Sequence, residues 1–157
     1  MKATFDWVTT TDYLPTPTRS ERVRVLASKI GCEFLDLVER RKNIKLEHIH
    51  FNDDGSCVGE EPSNLVPGRN FKPDGYHLAT KTVYEFHGNY YHGYPPDHPK
   101  HETLGVSGRP GPELYQSTMD RMKLFKDEGY TVQYAWGHEY SEYTSGTRLF
   151  DNLVHEL

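Results

Sequence analysis

Cysteine is scarce in this chain: two residues, Cys32 and Cys57, among 157, with no CxxC spacing. That excludes a disulfide framework and a cysteine-based zinc site. No apolar run approaches the ~20 residues of a membrane helix, and no stretch has the layout of a secretory signal. The expectation is a soluble, cytoplasmic protein with no membrane partner. An excess of positive charge is also lacking. Lys and Arg number 18 against 23 Asp and Glu, a formal net charge of −5, so the molecule as a whole is not a basic nucleic-acid binder. A local basic face can still coexist with a negative total. Hydrophobic residues make up only 35%, but 13% of the chain is aromatic, with eleven Tyr, rings at home on half-wet surfaces and stacking platforms. The length is enough for one domain with a core.

The order along the chain predicts a mixed α/β domain at 19–157 behind a Thr/Pro-rich arm at 1–18, where Pro15 and Pro17 oppose a helix. The arm carries Phe5, Trp7 and Tyr13, suited to a groove, a dimer contact or packing over a sheet edge. Thr18 or Ser20 can cap a first helix. Val23, Leu26, Ile30, Phe34 and Leu37 recur at helical spacing to about Arg41. Residues 44–51 alternate and read as a strand. The Gly- and Pro-containing stretch 52–72 reads as a loop or ragged hairpin. Strands are expected at about 74–79 and 81–87, a loop over 93–111, and a helix from Pro112 that stops at Gly129. A strand follows at 130–136. Leu149, Leu153 and Val154 fit a short terminal helix.

The most specific motif is His87-Gly-Asn-Tyr-Tyr-His92-Gly, at the end of the run Thr82-Val-Tyr-Glu-Phe-His87. Alternation puts Glu85 and His87 on one strand face, Tyr84 and Phe86 on the other. Pro73-Asp74 opens the preceding strand, so two carboxylates and an imidazole are expected to converge at one end of a small sheet. Such a set can hold a divalent cation and activate a water. On a wheel of the first helix with Ile30 as zero, Glu33 falls about 60° away, at the edge of the apolar stripe. Glu21 and Glu39 fall on the solvated side, and Asp36 lies well round. Glu33 is thus the acid expected to face the sheet, although a solvated carboxylate at a stripe edge is an equal alternative.

Pro73-Asp74, then Val83-Tyr-Glu-Phe-His87-Gly-Asn-Tyr-Tyr-His92-Gly, then Glu128-Gly-Tyr-Thr-Val-Gln-Tyr-Ala-Trp136 resemble the very-short-patch-repair endonucleases. They equally resemble related phage-borne homing endonucleases of the EDxHD type. The likeness runs from about Ser28 to Trp136. It implies the restriction-endonuclease-like PD-(D/E)XK fold, a small mixed sheet flanked by helices. It further implies a metal-dependent endonuclease that hydrolyses duplex DNA at a specific target. Asp74 would be the central metal ligand, joined by the main-chain carbonyl of Phe86. Glu85 would take the acidic place of the general superfamily signature, although the patch-repair branch is apolar there. Glu33 would orient a metal-bound water. His92 would serve as acid/base, and His87 as a second proton carrier or phosphate contact. The oxygen ligands favour Mg²⁺, with Mn²⁺ as substitute. A phage- or virus-encoded origin is compatible with the likeness.

Tyr90 and Tyr91 stand where the patch-repair enzymes carry aromatics that wedge into the base stack; packing beneath the loop is the alternative for each. That branch also holds a structural zinc nearby, but Asn89 and Tyr94 occupy the corresponding places and no Cys is close, so no zinc is expected; Asp97, His98 and His101 read as a solvated loop. Thr118, Asp120 and Arg121 fall where the likeness has polar residues near the site, without individual roles. Lys72, Lys81 and Arg109 are the expected phosphate contacts around the site. The expected partner is double-stranded DNA. A specific double-strand cutter of this size would act as a homodimer, for which the Leu149/Leu153/Val154 stripe is a candidate contact. The alternatives are a mismatch- or structure-directed repair nickase and an inactive DNA-binding module.

Overall fold

The structure, a computed structural model, describes residues 19–157; for 19–28 it describes the backbone alone. The arm at 1–18 and the expected cap at Thr18 lie outside the described residues. The chain forms a mixed α/β unit around one four-stranded sheet. Helix α1 spans Arg19–Lys42. Its end is written in the chain: Arg40, Arg41 and Lys42 oppose the negative end of the helix dipole, and Asn43 turns left-handed at φ 54°. Ile44 N–H then bonds back to the Glu39 carbonyl at 3.2 Å, as helix stops of this kind require.

A two-stranded hairpin follows, β1 (His50–Phe51) with β2 (Cys57–Val58). The expected strand at 44–51 is therefore shorter. Only its end pairs as a strand, while Glu47 makes a single bridge to Tyr76 at the edge of the main sheet. The main sheet runs β3 (Gly75–His77), β4 (Thr82–His87), β5 (Thr131–Trp136) and β6 (His155–Glu156). β3 and β4 are antiparallel, with Gly75 opposite Tyr84. β4 and β5 are parallel, Thr82 opposite Thr131 through His87 opposite Trp136. A parallel pair needs a long crossover, supplied by the one-turn helix α2 (Asn89–His92) and by α3 (Gly111–Asp127). Pro112 stands in the first turn of α3, and Gly129 (φ 95°) follows its end, as expected.

Every residue of β4 is buried, so its alternation sorts two cores. Tyr84 and Phe86 pack with Phe34, Leu35, Leu37 and Val38 of α1. Val83 packs with Met122 and Phe125 of α3 and with Val132 of β5.

Two expectations are corrected at the C-terminal side, and one element is added. Helix α4 (Gly137–Thr144) directly follows β5. The tail is no helix: a 3₁₀ turn at Phe150–Asn152 leads into β6, which pairs antiparallel with β5. The edge of β5 offers unpaired amides and carbonyls, and two residues that extend along it satisfy them, which a helix would not. The Leu149/Leu153/Val154 stripe consequently does not exist. Leu153 is fully buried in the α1-side core while Leu149 stands exposed. Among the described residues no helix is long and apolar enough to cross a membrane.

Candidate active site

A cavity of about 490 Å³ opens between α1, β1 and the end of β4. Gly31, Cys32 and Leu35 form its α1 wall, Ile49 and Phe51 its hairpin wall, and Asp74, Phe86, Tyr91 and His92 its floor and rim. Asp74 sits immediately before β3. Its Oδ2 accepts the Phe86 N–H at 2.8 Å across the strand pair, which fixes the carboxylate against the strand edge. Burial pushes its pKa upward, with the carboxylate of Glu61 adding to the shift; the Phe86 amide and Arg121 oppose it. The Cys32 thiol, in the same wall, is pushed up to about 12 by burial and by Asp74. It is therefore inert as a nucleophile.

Glu85 is only 3% exposed and lies behind this wall rather than in it. Its Oε2 is 3.4 Å from Arg121 Nη2, and the Asp74 amide also hydrogen-bonds its carboxylate. Burial raises its pKa, and the nearby Asp74 charge raises it further, with Arg121 opposing. The two carboxyls do meet, as the alternation indicated, but only Asp74 lines the cavity. Arg121 is held by the Lys72 carbonyl at 2.6 Å and stacks over Phe71 and Phe125.

The motif 87–93 folds as a helical turn with a purpose. Tyr91 and His92 N–H both bond to the Gly88 carbonyl. Asn89 clamps the turn at both ends, donating to the Gly93 carbonyl at 2.9 Å and accepting the His138 N–H at 2.8 Å. Gly93 takes φ 75°, and a Cβ there would stand 2.6 Å from the Gly111 carbonyl oxygen; only glycine lets α2 lie this close to α3. The turn delivers His92 to the cavity rim. His92 Nδ1 is 2.9 Å from Thr118 Oγ1, whose single hydroxyl proton goes to the Leu114 carbonyl at 2.9 Å. With the hydroxyl proton on the Leu114 carbonyl, Nδ1 is the donor to Thr118 and the neutral ring carries its lone pair on Nε2. Burial lowers the His92 pKa to about 4, Arg121 contributing, so at neutral pH this imidazole is uncharged.

His87 differs from the expectation. It is fully buried, with Nε2 3.2 Å from Met122 Sδ and Nδ1 buried without a hydrogen-bond partner. Its ring lies among those of His92, Tyr134 and Trp136. It has no route to a phosphate, so the expected contact is corrected to a core position behind His92. Burial holds its pKa well below the ordinary histidine value.

Glu33 is likewise displaced. It is exposed, its charge is felt by Tyr140, and it does not line the cavity. The buried face of α1 includes Gly31, Leu35 and Val38, which rotates the stripe centre by about 60° away from Glu33. Of the expected DNA contacts, Tyr90 is 43% exposed and meets Tyr91 edge-on at 5.1 Å, while Tyr91 lines the cavity. Arg109 lies exposed beside Glu113 at 3.9 Å, after the Val106 turn that also lines the cavity. Lys72 is exposed next to Pro73. Lys81 is corrected: it stands at the start of β4, opposite the His87 end, with Nζ over the Tyr130 ring at 5.2 Å. Asp120 accepts from Gln116 on the exposed side of α3, whereas Thr118 and Arg121 of the same helix reach the site.

A second polar cluster was not anticipated. Asp36 and Glu39 on α1, with His48 and His50 beyond it, place one ligand atom each within 4.8 Å of one another and can hold a metal ion. The signal was present as Asp-x-x-Glu on a helix, one turn apart, and His-x-His on an extended segment, two residues apart. Each spacing puts both members on one face. No protein-family model, curated protein or solved structure matches the chain.

Proposed function

We propose that the protein is a metal-dependent DNA endonuclease of the patch-repair and homing type, with the cavity as its active site and a restriction-endonuclease-like arrangement of sheet and helices. What carries the reading is that Asp74 and His92, a hard oxygen ligand and a neutral imidazole, line one cavity together with Phe86. The upward pKa of Asp74 fits a carboxylate whose counter-charge is a bound cation. Asp74 and the Phe86 carbonyl would hold Mg²⁺, with Mn²⁺ as substitute. When bound, such a cation polarises a phosphoryl oxygen and eases deprotonation of an attacking water.

The remaining work falls to the chain. His92 Nε2 takes a proton from the water as its oxygen bonds to phosphorus; the P–O bond to the leaving nucleoside breaks, and solvent protonates that oxygen. Thr118 keeps Nε2 proton-free and in place. Arg121 and Glu85 set the edge on which Asp74 rests. Tyr90 and Tyr91 would meet the duplex at the rim, with Lys72 and Arg109 on its phosphates. Glu33 and Lys81 have no part in the step.

The test is cleavage of supercoiled plasmid and of mismatch-bearing duplex, with Mg²⁺ or EDTA. Metal-dependent linear or nicked plasmid that is lost in Asp74→Asn, with the fold retained by circular dichroism, is the expected result. Nicking confined to mismatched duplex would redirect the reading to repair, and binding with no cleavage under any cation would overturn it.

A further inference from the structure

We propose that Asp36, Glu39, His48 and His50 form a zinc site that staples the segment after α1 back onto the helix. The argument begins with His48. Its Nδ1 is 2.6 Å from the Ile49 carbonyl, a contact that only an N–H donor can make. In the neutral ring Nε2 is then a bare lone pair. That lone pair faces Glu39 Oε1 at 3.2 Å and Asp36 Oδ1 at 3.4 Å, in a side chain with no solvent exposure. These three atoms, of a buried imidazole, a mostly buried Glu39 and a one-third-exposed Asp36, are held together by a positive charge, which a proton on Nε2 or a metal ion can supply. His50 Nδ1 completes the set, 3.0 Å from Asp36 Oδ1, its ring centroid 3.8 Å from that of His48.

The dimensions and the donor set are compatible with zinc. Zinc takes four N, O or S ligands at about 2.0–2.1 Å in a tetrahedron, whose edges are then about 3.3 Å. Three of the six ligand–ligand separations, 3.0, 3.2 and 3.4 Å, are close to that edge, and all four ligand atoms lie within 4.8 Å of one another. Two imidazoles and two carboxylates suit zinc better than magnesium or calcium, which favour oxygen alone. The supporting layer is also in place. The Ile49 carbonyl holds the far nitrogen of His48, and Glu39 Oε2 accepts the Leu46 N–H at 2.7 Å, as ligands of a metal are ordinarily oriented. The alternation that puts His48 and His50 on the ion turns Ile49 and Phe51 into the cavity wall. The zinc would therefore fix one side of the proposed active site without touching its chemistry.

The full-length protein, stripped with EDTA and dialysed, should take up one zinc per chain by calorimetry and show a higher unfolding temperature with zinc. Co²⁺ in its place should give the strong visible absorption of a four-coordinate ion. Loss of a supporting group typically costs about 10–100-fold in affinity, so loss of a ligand should cost more. Asp36→Asn and His50→Gln, both at half-exposed positions that spare the core, are expected to lose uptake while retaining the circular-dichroism spectrum. Asp74→Asn should retain it, which separates this site from the cavity and from the fate of the nuclease reading. Absence of stoichiometric uptake, uptake unchanged in both ligand variants, or uptake abolished by Asp74→Asn would each overturn the proposal.

Discussion

At the scale of single residues the two histidines of the motif have opposite fates, and each fate is measurable. His92 is expected to supply general-base catalysis, an effect typically of about 10²–10⁴-fold. His92→Ala should lower plasmid cleavage by that order while DNA binding changes little. Thr118→Val removes the group that orients the ring and strands a buried N–H, at a cost of about 1–3 kcal/mol in stability; cleavage should fall with it, though less than in His92→Ala. His87 has an unpaired buried Nδ1, so His87→Leu should leave stability within about 1 kcal/mol or raise it, since an apolar replacement removes an unsatisfied polar atom. Cleavage lost in a stable His87→Leu protein would return a proton-carrying role to this residue. Acid provides a further check on His92. Its pKa lies at about 4 in the fold against 6.5 ordinarily. As pH falls the unfolded chain takes the proton first, so the stability contribution is full above 6.5 and is lost towards 4. Asp74 and Glu85, shifted upward, act in the opposite sense, favouring the fold at low pH. Urea unfolding of His92→Asn should therefore lose less stability over that window than the native chain does.

At the scale of elements, helix α1 shows where close packing decides. Gly31 sits inside the helix, where glycine costs about 0.5–1 kcal/mol relative to alanine. A Cβ there would stand 3.4 Å from the Phe86 ring, an ordinary contact, so Gly31→Ala should raise stability by up to about 1 kcal/mol in chemical denaturation. Gly31→Leu, with no room against Phe86, should lower it. The same helix marks the limit of what its sequence discloses. Periodicity located α1, α3, β4 and β5, because long runs with caps at Asn43 and Gly129 and full alternation at β4 are set by local rules. It misjudged the rotation of α1, because Gly31 contributes to the buried face through its lack of a side chain. It missed α2, α4 and β6, each of which is shorter than a period-based signal requires and is held by partners distant in sequence: Gly111 for α2, Asn89 for α4, the β5 edge for β6. Asp74 and His92 could be paired from the motif and the strand order. The seating of Glu85 against Arg121 could not, since Arg121 is 36 residues away on another element. The sequence around His92, with no cysteine close, predicts no zinc, whereas the His/carboxylate set arises from the meeting of α1 with the segment that follows it.

On the scale of the whole molecule, the negative net charge of −5 sets the terms on which a polyanion and a cation can share one site. A duplex approaching the cavity meets the carboxyl groups of Asp74 and Glu61, with Arg121 spent internally on Glu85 and the Lys72 carbonyl. Affinity should therefore depend on the divalent ion more than on lysine and arginine. Few phosphate contacts release few counterions, so the salt dependence of binding should be shallow, with a log–log slope well below the −5 to −9 expected for about 6–10 phosphate contacts. The ion in turn should be felt by the fold. A ligand that binds only the native state stabilises it by RT ln(1 + [L]/Kd), about 1.4 kcal/mol at tenfold over Kd. For a chain of this length that is a rise of about 3–6 °C in unfolding temperature. Mg²⁺ added to zinc-saturated protein should produce this rise, and Asp74→Asn should abolish it. Because replacing the carboxylate also removes a buried charge, Asp74→Asn without Mg²⁺ should be as stable as the native chain or more so. A native chain indifferent to Mg²⁺ by this measure, over the millimolar range, would mean that the Asp74 carboxylate does not hold the cation and that cleavage, if found, originates elsewhere on the surface.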